Sequence, residues 1–239
     1  METNKISGPH QGQPVLIAGE PLEHAKAAMI MIHGRGASAE DILSLATEVN
    51  QPGFAYLAPQ AAAYSWYPNS FLAPLASNEP GISSGLAVIA TLFERLTNAG
   101  IGPEHTILLG FSQGACLSLE FASRNARRYG GIAGLSGGLI GPDGTPHDYP
   151  GSLQETPIFL GCSDRDAHIP KERVLLSAEL LQQQGGTVTT RLYPRMGHTI
   201  NNDELETVRH GSKPCDRFEH LGSKSRIAQS CQPSVLGWW

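Results

Sequence analysis

No apolar run in this chain approaches the roughly 20 residues a helix needs to cross a bilayer, so stable membrane insertion is not expected. The first thirty residues lack the basic start, apolar centre and small-residue cleavage site of a secretory signal, which makes a cytoplasmic location the expectation. Basic charge is also short. Seventeen Lys and Arg against 22 Asp and Glu give a formal charge of -5 with no concentrated basic face, so neither nucleic acid nor an anionic membrane is an expected partner. The four cysteines, Cys116, Cys162, Cys215 and Cys231, show no metal-like spacing, and reduced thiols are expected. No internal repeat divides the 239 residues, a length that suits one domain with a substantial core.

What the chain does contain centres on Thr106 to Ala115, TILLGFSQGA. An apolar strand, Ile107-Leu108-Leu109, breaks at Gly110, places Ser112 at a tight turn and restarts as a helix beyond Gly114. A serine on so sharp a turn needs very small residues two positions to either side, which is the logic of the G-x-S-x-G nucleophile elbow. The helix that follows points its first N–H groups, and the positive end of its dipole, towards the place where an oxyanion would form. A plain Gly-Ser turn is the bland alternative, and the strand before and helix after argue against it.

Taken in order, 1–13 reads as a loose polar leader and Val15 to Ala18 as an edge strand. Ala27 to Ile32, AAMIMI, has the unbroken apolar character of a strand buried on both faces, and it ends in His33-Gly34-Arg35-Gly36. That glycine-rich loop is expected to supply one oxyanion donor, the amide of Arg35, with the amide of Gln113 as the second. His33 reads as a brace for the loop rather than a catalytic group.

Ser38 is expected to cap a helix running to about Asn50, and a strand follows at Phe54 to Ala58. The Pro-rich and aromatic stretch 59–77 is too long for a simple connection. Its Tyr64, Trp66, Tyr67 and Phe71 are candidates for a substrate pocket, or alternatively for rings that cap the core. Helices are expected over Gly81 to Ala99, Gln113 to Tyr129 and Lys171 to Gln184, and strands over Gly131 to Ser136, Pro157 to Cys162 and Val188 to Tyr193.

Asp143, His147 and Asp148 lie among turn residues without regular spacing, so no metal is expected there. Two acids, Asp164 and Asp166, follow the Pro157 strand. His198 follows the last strand, which completes a Ser, Asp, His order along the chain.

With HGRGAS at 33–38, GFSQGA at 110–115, SDRDAHIP at 163–170 and MGHTI at 196–200, the sequence resembles the phospholipase/carboxylesterase family of α/β-hydrolases. That family includes the acyl-protein thioesterases and bacterial broad-range carboxylesterases. The resemblance spans roughly Met29 to Arg209. It implies an α/β-hydrolase fold, with a mostly parallel sheet flanked by helices on both faces, and cofactor-free hydrolysis of carboxylic esters or thioesters. It assigns the nucleophile to Ser112, the base to His198 and the oxyanion amides to Arg35 and Gln113. The family's acid motif, H-G-D-x-D-x-x-V-P, laid on Cys162 to Pro170 selects Asp166, although Ser163 replaces its glycine; counting three residues from Gly161 selects Asp164 instead.

The implied partner is a small-molecule ester or thioester, and because family members are often dimers a homodimer is possible. The reading from another class is a catalytically silent binding protein on the same fold, against which the intact Ser, Asp and His set argues. The domain is expected over 14–209. The remaining 210–239 departs from the family and reads as a frameshifted or read-through terminus without helical periodicity, expected to be disordered and a possible threat to stability.

Overall fold

The computed structural model describes residues 8–211. Seven strands form one sheet in the order β1-β3-β2-β4-β5-β6-β7. They are β1 (Val15–Gly19), β2 (Ala27–Ile32), β3 (Phe54–Pro59), β4 (Thr106–Phe111), β5 (Gly131–Leu135), β6 (Pro157–Ser163) and β7 (Thr187–Tyr193). The β1 strand pairs antiparallel with β3, and every other pair is parallel. Parallel strands need crossovers over the sheet faces, which is why β2 and β4 read as continuous apolar runs.

Alternate residues of β2 feed two separate cores. Ala28, Ile30 and Ile32 pack with residues of α2 (Gly81–Asn98), α3 (Gln113–Arg124) and α4 (Lys171–Gln183). Ala27, Met29 and Met31 pack on the other face with residues of α1 (Ala39–Ser44) and α5 (Asn202–Gly211). This is the two-faced α/β arrangement expected from the sequence.

Several boundaries differ from the sequence expectation. Ser38 caps α1 through a complete capping box with Asp41, but the helix ends at Ser44 and continues as a 3-10 turn, Leu45–Thr47. Ser44 and Thr47 hydroxyls donate back to the Asp41 and Ser44 carbonyls at 2.7 and 2.9 Å, a local alternative to further α-helix. The α3 helix stops at Arg124 rather than Tyr129. Beyond it the chain turns inward to bury Tyr129, whose amide donates to the Thr156 hydroxyl at 2.9 Å.

At the C-terminal side α5 runs to Gly211, past the expected limit at 209. The rest of the expected tail, like the first seven residues of the leader, lies outside the described residues. The described part of the leader is anchored rather than loose. His10 is buried, its amide donates to the Ser84 hydroxyl at 3.0 Å, and its ring bridges Ala62 and Trp66.

Candidate active site

The C-terminal ends of β2, β4, β6 and β7 converge on one cleft. At the end of β4 the chain enters α3 through Ser112, which sits at φ 55, ψ -117, a conformation rare outside glycine. The flanking glycines have a direct steric cause. A Cβ on Gly110 would lie 2.3 Å from the Gly114 carbonyl oxygen, and one on Gly114 would lie 2.2 Å from that of Ile32. The elbow therefore needs glycine on both sides.

His198, on the loop after β7, joins Ser112 to the loop after β6. Its Nε2 lies 2.8 Å from Ser112 Oγ and its Nδ1 lies 2.7 Å from Asp166 Oδ2. Burial works to raise the Asp166 pKa, but hydrogen bonds from His198 and from the amides of His168 and Ile169 outweigh it and hold the carboxyl below its ordinary value. An ionised Asp166 accepts from Nδ1–H, which leaves the Nε2 lone pair facing the serine hydroxyl. The Asp166 side chain is fully buried and that of His198 is 21% exposed, so water reaches the imidazole but not its acid partner.

Asp164, the alternative acid, is turned elsewhere. Its Oδ1 accepts from the Arg195 amide at 2.8 Å and braces the β7–His198 loop, in which Arg195 has a positive φ of 54°. Ser163, the departure from the acid motif, serves a similar end: its hydroxyl oxygen accepts from the amides of Arg165 and Gly197, each at 3.2 Å, and ties the acid loop to the histidine loop.

The Gln113 amide heads α3, where first-turn N–H groups have no intrahelical acceptor, and the Arg35 amide has no acceptor among the described residues. His33 is a brace, as the sequence reading favoured. It is fully buried, its Nε2 accepts from the Ala61 amide at 3.1 Å, and its Nδ1 therefore carries the proton donated to the Gly34 carbonyl at 2.7 Å. Burial lowers its pKa, in keeping with a neutral ring.

The cleft beside Ser112 encloses about 360 Å³ and is lined by Tyr67, Phe71, Cys116, His168 and Ile169, together with Arg35 and Gln113. Of the aromatic candidates Tyr67 and Phe71 reach it. Trp66 does not. It is fully buried behind the loop, where its indole N–H donates to the His33 carbonyl at 3.0 Å and its ring meets His10 and His33. An indole N–H needs a buried acceptor, and that acceptor lies on the core side. Tyr64 points outward, 57% exposed.

Three lining residues, Cys116, His168 and Ile169, escaped the sequence reading. The His168 ring meets that of His198 edge-on, centroids 4.8 Å apart, and the Phe111 ring also meets His198, at 5.0 Å; the place of His168 two residues after Asp166 was the available signal. Cys116 carried no signal. Burial pushes its thiol up to about 12, so it offers no thiolate to compete with Ser112. Among the described residues no group of three His, Cys, Asp or Glu is placed to hold a metal, and Asp143 pairs with Arg173 at 2.7 Å. No described helix is long and apolar enough to cross a membrane.

The chain is similar to known proteins of one family and fold. A crystal structure of a phospholipase/carboxylesterase from Dyadobacter fermentans is 40% identical and superposes with a TM-score of 0.80, over 83% of this chain and 95% of that one. Acyl-protein thioesterase 1 of Gibberella zeae is 35% identical over 133 residues, 54% of this chain and 55% of that protein, so the chain spans about half the length of that relative. Acyl-protein thioesterase 1 of Emericella nidulans is 27% identical over 215 residues, 78% of this chain and 89% of that protein. Residues 15–213 match the family model described as Phospholipase/Carboxylesterase, and the chain belongs to that family of α/β-hydrolases.

Proposed function

We propose that the protein hydrolyses carboxylic esters or thioesters through an acyl-enzyme on Ser112, with His198 as base, Asp166 as its acid partner and the amides of Arg35 and Gln113 as oxyanion donors. The observation that carries this reading is the continuous relay from Ser112 Oγ through His198 to a buried, ionised Asp166, at 2.8 and 2.7 Å. Ser112 Oγ attacks the substrate carbonyl carbon while its proton passes to His198 Nε2, and Asp166 stabilises the imidazolium. The carbonyl electron pair moves onto oxygen, where the two amides receive it. Collapse of this intermediate breaks the bond to the alcohol or thiol, which leaves with the proton from His198. Water then attacks the acyl-serine, gives its proton to His198, and the carboxylic acid departs as Ser112 regains a proton.

Tyr67 and Phe71, which line the same cleft as Ser112, are the residues proposed to contact the substrate. A cleft of about 360 Å³ is near the lower end of the roughly 300–1,000 Å³ of small-molecule sites, which favours short acyl chains. The test is intact-mass spectrometry after exposure to a fluorophosphonate, on the wild type and on Ser112→Ala. One adduct in the wild type and none in the variant is expected, followed by turnover of esters and thioesters of graded chain length. A folded wild-type protein that takes no adduct overturns the reading and returns weight to a ligand-binding role.

A further inference from the structure

Arg35 sits between Gly34 and Gly36, and Gly36 has a positive φ of 76°. The Arg35 amide shares its peptide plane with the Gly34 carbonyl, which accepts from His33 Nδ1 at 2.7 Å and from the Ala37 amide at 3.2 Å, so the plane is held from within, but an oxyanion donor must also keep a fixed place relative to the cleft. The Arg35 guanidinium fixes that place by tying the loop to the opposite wall. It reaches across the cleft mouth and donates from Nη1 to the Pro68 carbonyl at 2.7 Å and from Nη2 to the Asn69 carbonyl at 2.5 Å. A third tie runs the same way, from the Gly36 amide to the Tyr64 carbonyl at 2.7 Å.

The segment that receives these bonds is itself fixed to the second oxyanion residue. The Gln113 carboxamide accepts from the Trp66 amide at 2.7 Å and donates to the Tyr67 carbonyl at 2.7 Å. Asn69 is held in turn by its amide, which donates to Asn78 Oδ1 at 2.8 Å. The ties thus run from the head of α3, through Gln113, along the cleft wall at Trp66 to Asn69, and back through Arg35 to the other donor.

We propose that the Arg35 side chain is a positioning residue. By gripping the Pro68 and Asn69 carbonyls it holds the loop that carries its own backbone amide in register with the cleft wall, so the wall and both oxyanion donors form one rigid unit. The guanidinium suits the task because its planar fork offers two divergent donors to two successive carbonyls, where an ammonium offers a single point. This inference rests on the hydrolase reading above.

The test compares wild type, Arg35→Met and Arg35→Lys, with every rate expressed per site titrated by fluorophosphonate and with thermal melts to establish folding. Removing an oxyanion donor costs about a hundred-fold to a thousand-fold, so misdirecting one that is still present is expected to lower kcat about tenfold to a hundred-fold in Arg35→Met. KM is expected to stay within about threefold, because binding of the uncharged ground state makes little use of the donor. The inhibition constant of a trifluoromethyl ketone, which forms a tetrahedral adduct, is expected to rise with the loss of kcat, and Arg35→Lys to recover part of both.

An unchanged kcat per titrated site overturns the proposal and makes Arg35 a solvated rim side chain. A rise in KM alone also overturns it, since that is the mark of direct substrate contact. If Arg35→Met does not fold, Arg35→Lys carries the test: one donor in place of two must still give an intermediate kcat loss. A wild type that takes no fluorophosphonate is a different result, the failure of the hydrolase reading itself.

Discussion

At the scale of single residues, the two aspartates after β6 separate into different tasks on geometry alone. Asp166 receives His198, while Asp164 receives a backbone amide on the neighbouring loop. In Asp166→Asn the one remaining oxygen is claimed by the His168 and Ile169 amides, so an N–H faces His198 Nδ1 and selects the wrong imidazole tautomer, and kcat is expected to fall by about a thousand-fold to ten-thousand-fold. Asp164→Asn keeps an acceptor oxygen for the Arg195 amide, so kcat is expected to stay within about tenfold of the wild type. Steady-state kinetics on the two variants, with the same ester, checks both; equal losses would undo the assignment. The choice was open in the sequence because both acids fit the end of a strand, and only the path of the turn decides which one faces the histidine.

At the scale of elements, the segment between β3 and α2 is the part of the site that a periodic pattern does not describe. It is held by buried side chains from distant points of the chain. His10 accepts from the Ala62 amide through Nδ1 at 3.1 Å and donates to the Trp66 carbonyl through Nε2 at 2.8 Å. Trp66 donates to His33, and His33 accepts from Ala61. Trp66→Phe would leave the His33 carbonyl without its indole donor in a buried place, and a loss of about 1–3 kcal/mol is expected in urea unfolding with an unchanged m-value. If the stability is unaffected, the ring is a filler and not a fastener. The sequence marked Trp66 as a candidate for the pocket because an aromatic in an irregular segment shows no periodicity from which to read its face.

At the scale of the whole molecule, buried groups are expected to pull stability in opposite directions as the pH changes below about 7. Burial lowers the pKa of His10 and His33 from 6.5, so the unfolded chain binds the extra protons and stability is lost as the pH falls below about 6.5. Glu204 on α5 is buried, its Oε2 accepts from the Asn201 amide at 2.9 Å, and its Oε1 has no hydrogen-bond partner among the described residues. Burial raises its pKa from 4.5 to about 7, so the folded chain holds that proton more tightly, and the contribution present below 4.5 is lost as the pH rises through about 7. Melting temperatures at pH 6 and pH 8 are expected to show a smaller alkaline loss in Glu204→Gln than in the wild type, and an identical loss would remove Glu204 from the account.

Much of this architecture was legible in the sequence, because strand burial and the elbow depend on short-range pattern. AAMIMI feeds two cores through the two-residue period of a strand, and Gly110 and Gly114 are fixed by contacts made within the turn and with the adjacent β2. The Ser, Asp, His order followed from the succession of strand ends. Tertiary structure alone decided which acid meets His198, that Trp66 faces the core, that His10 belongs to the fold, and that Arg35 and Gln113 grip the same wall. Each of these is a hydrogen bond between groups far apart along the chain, set by which side of a loop turns inward, and no local period records that.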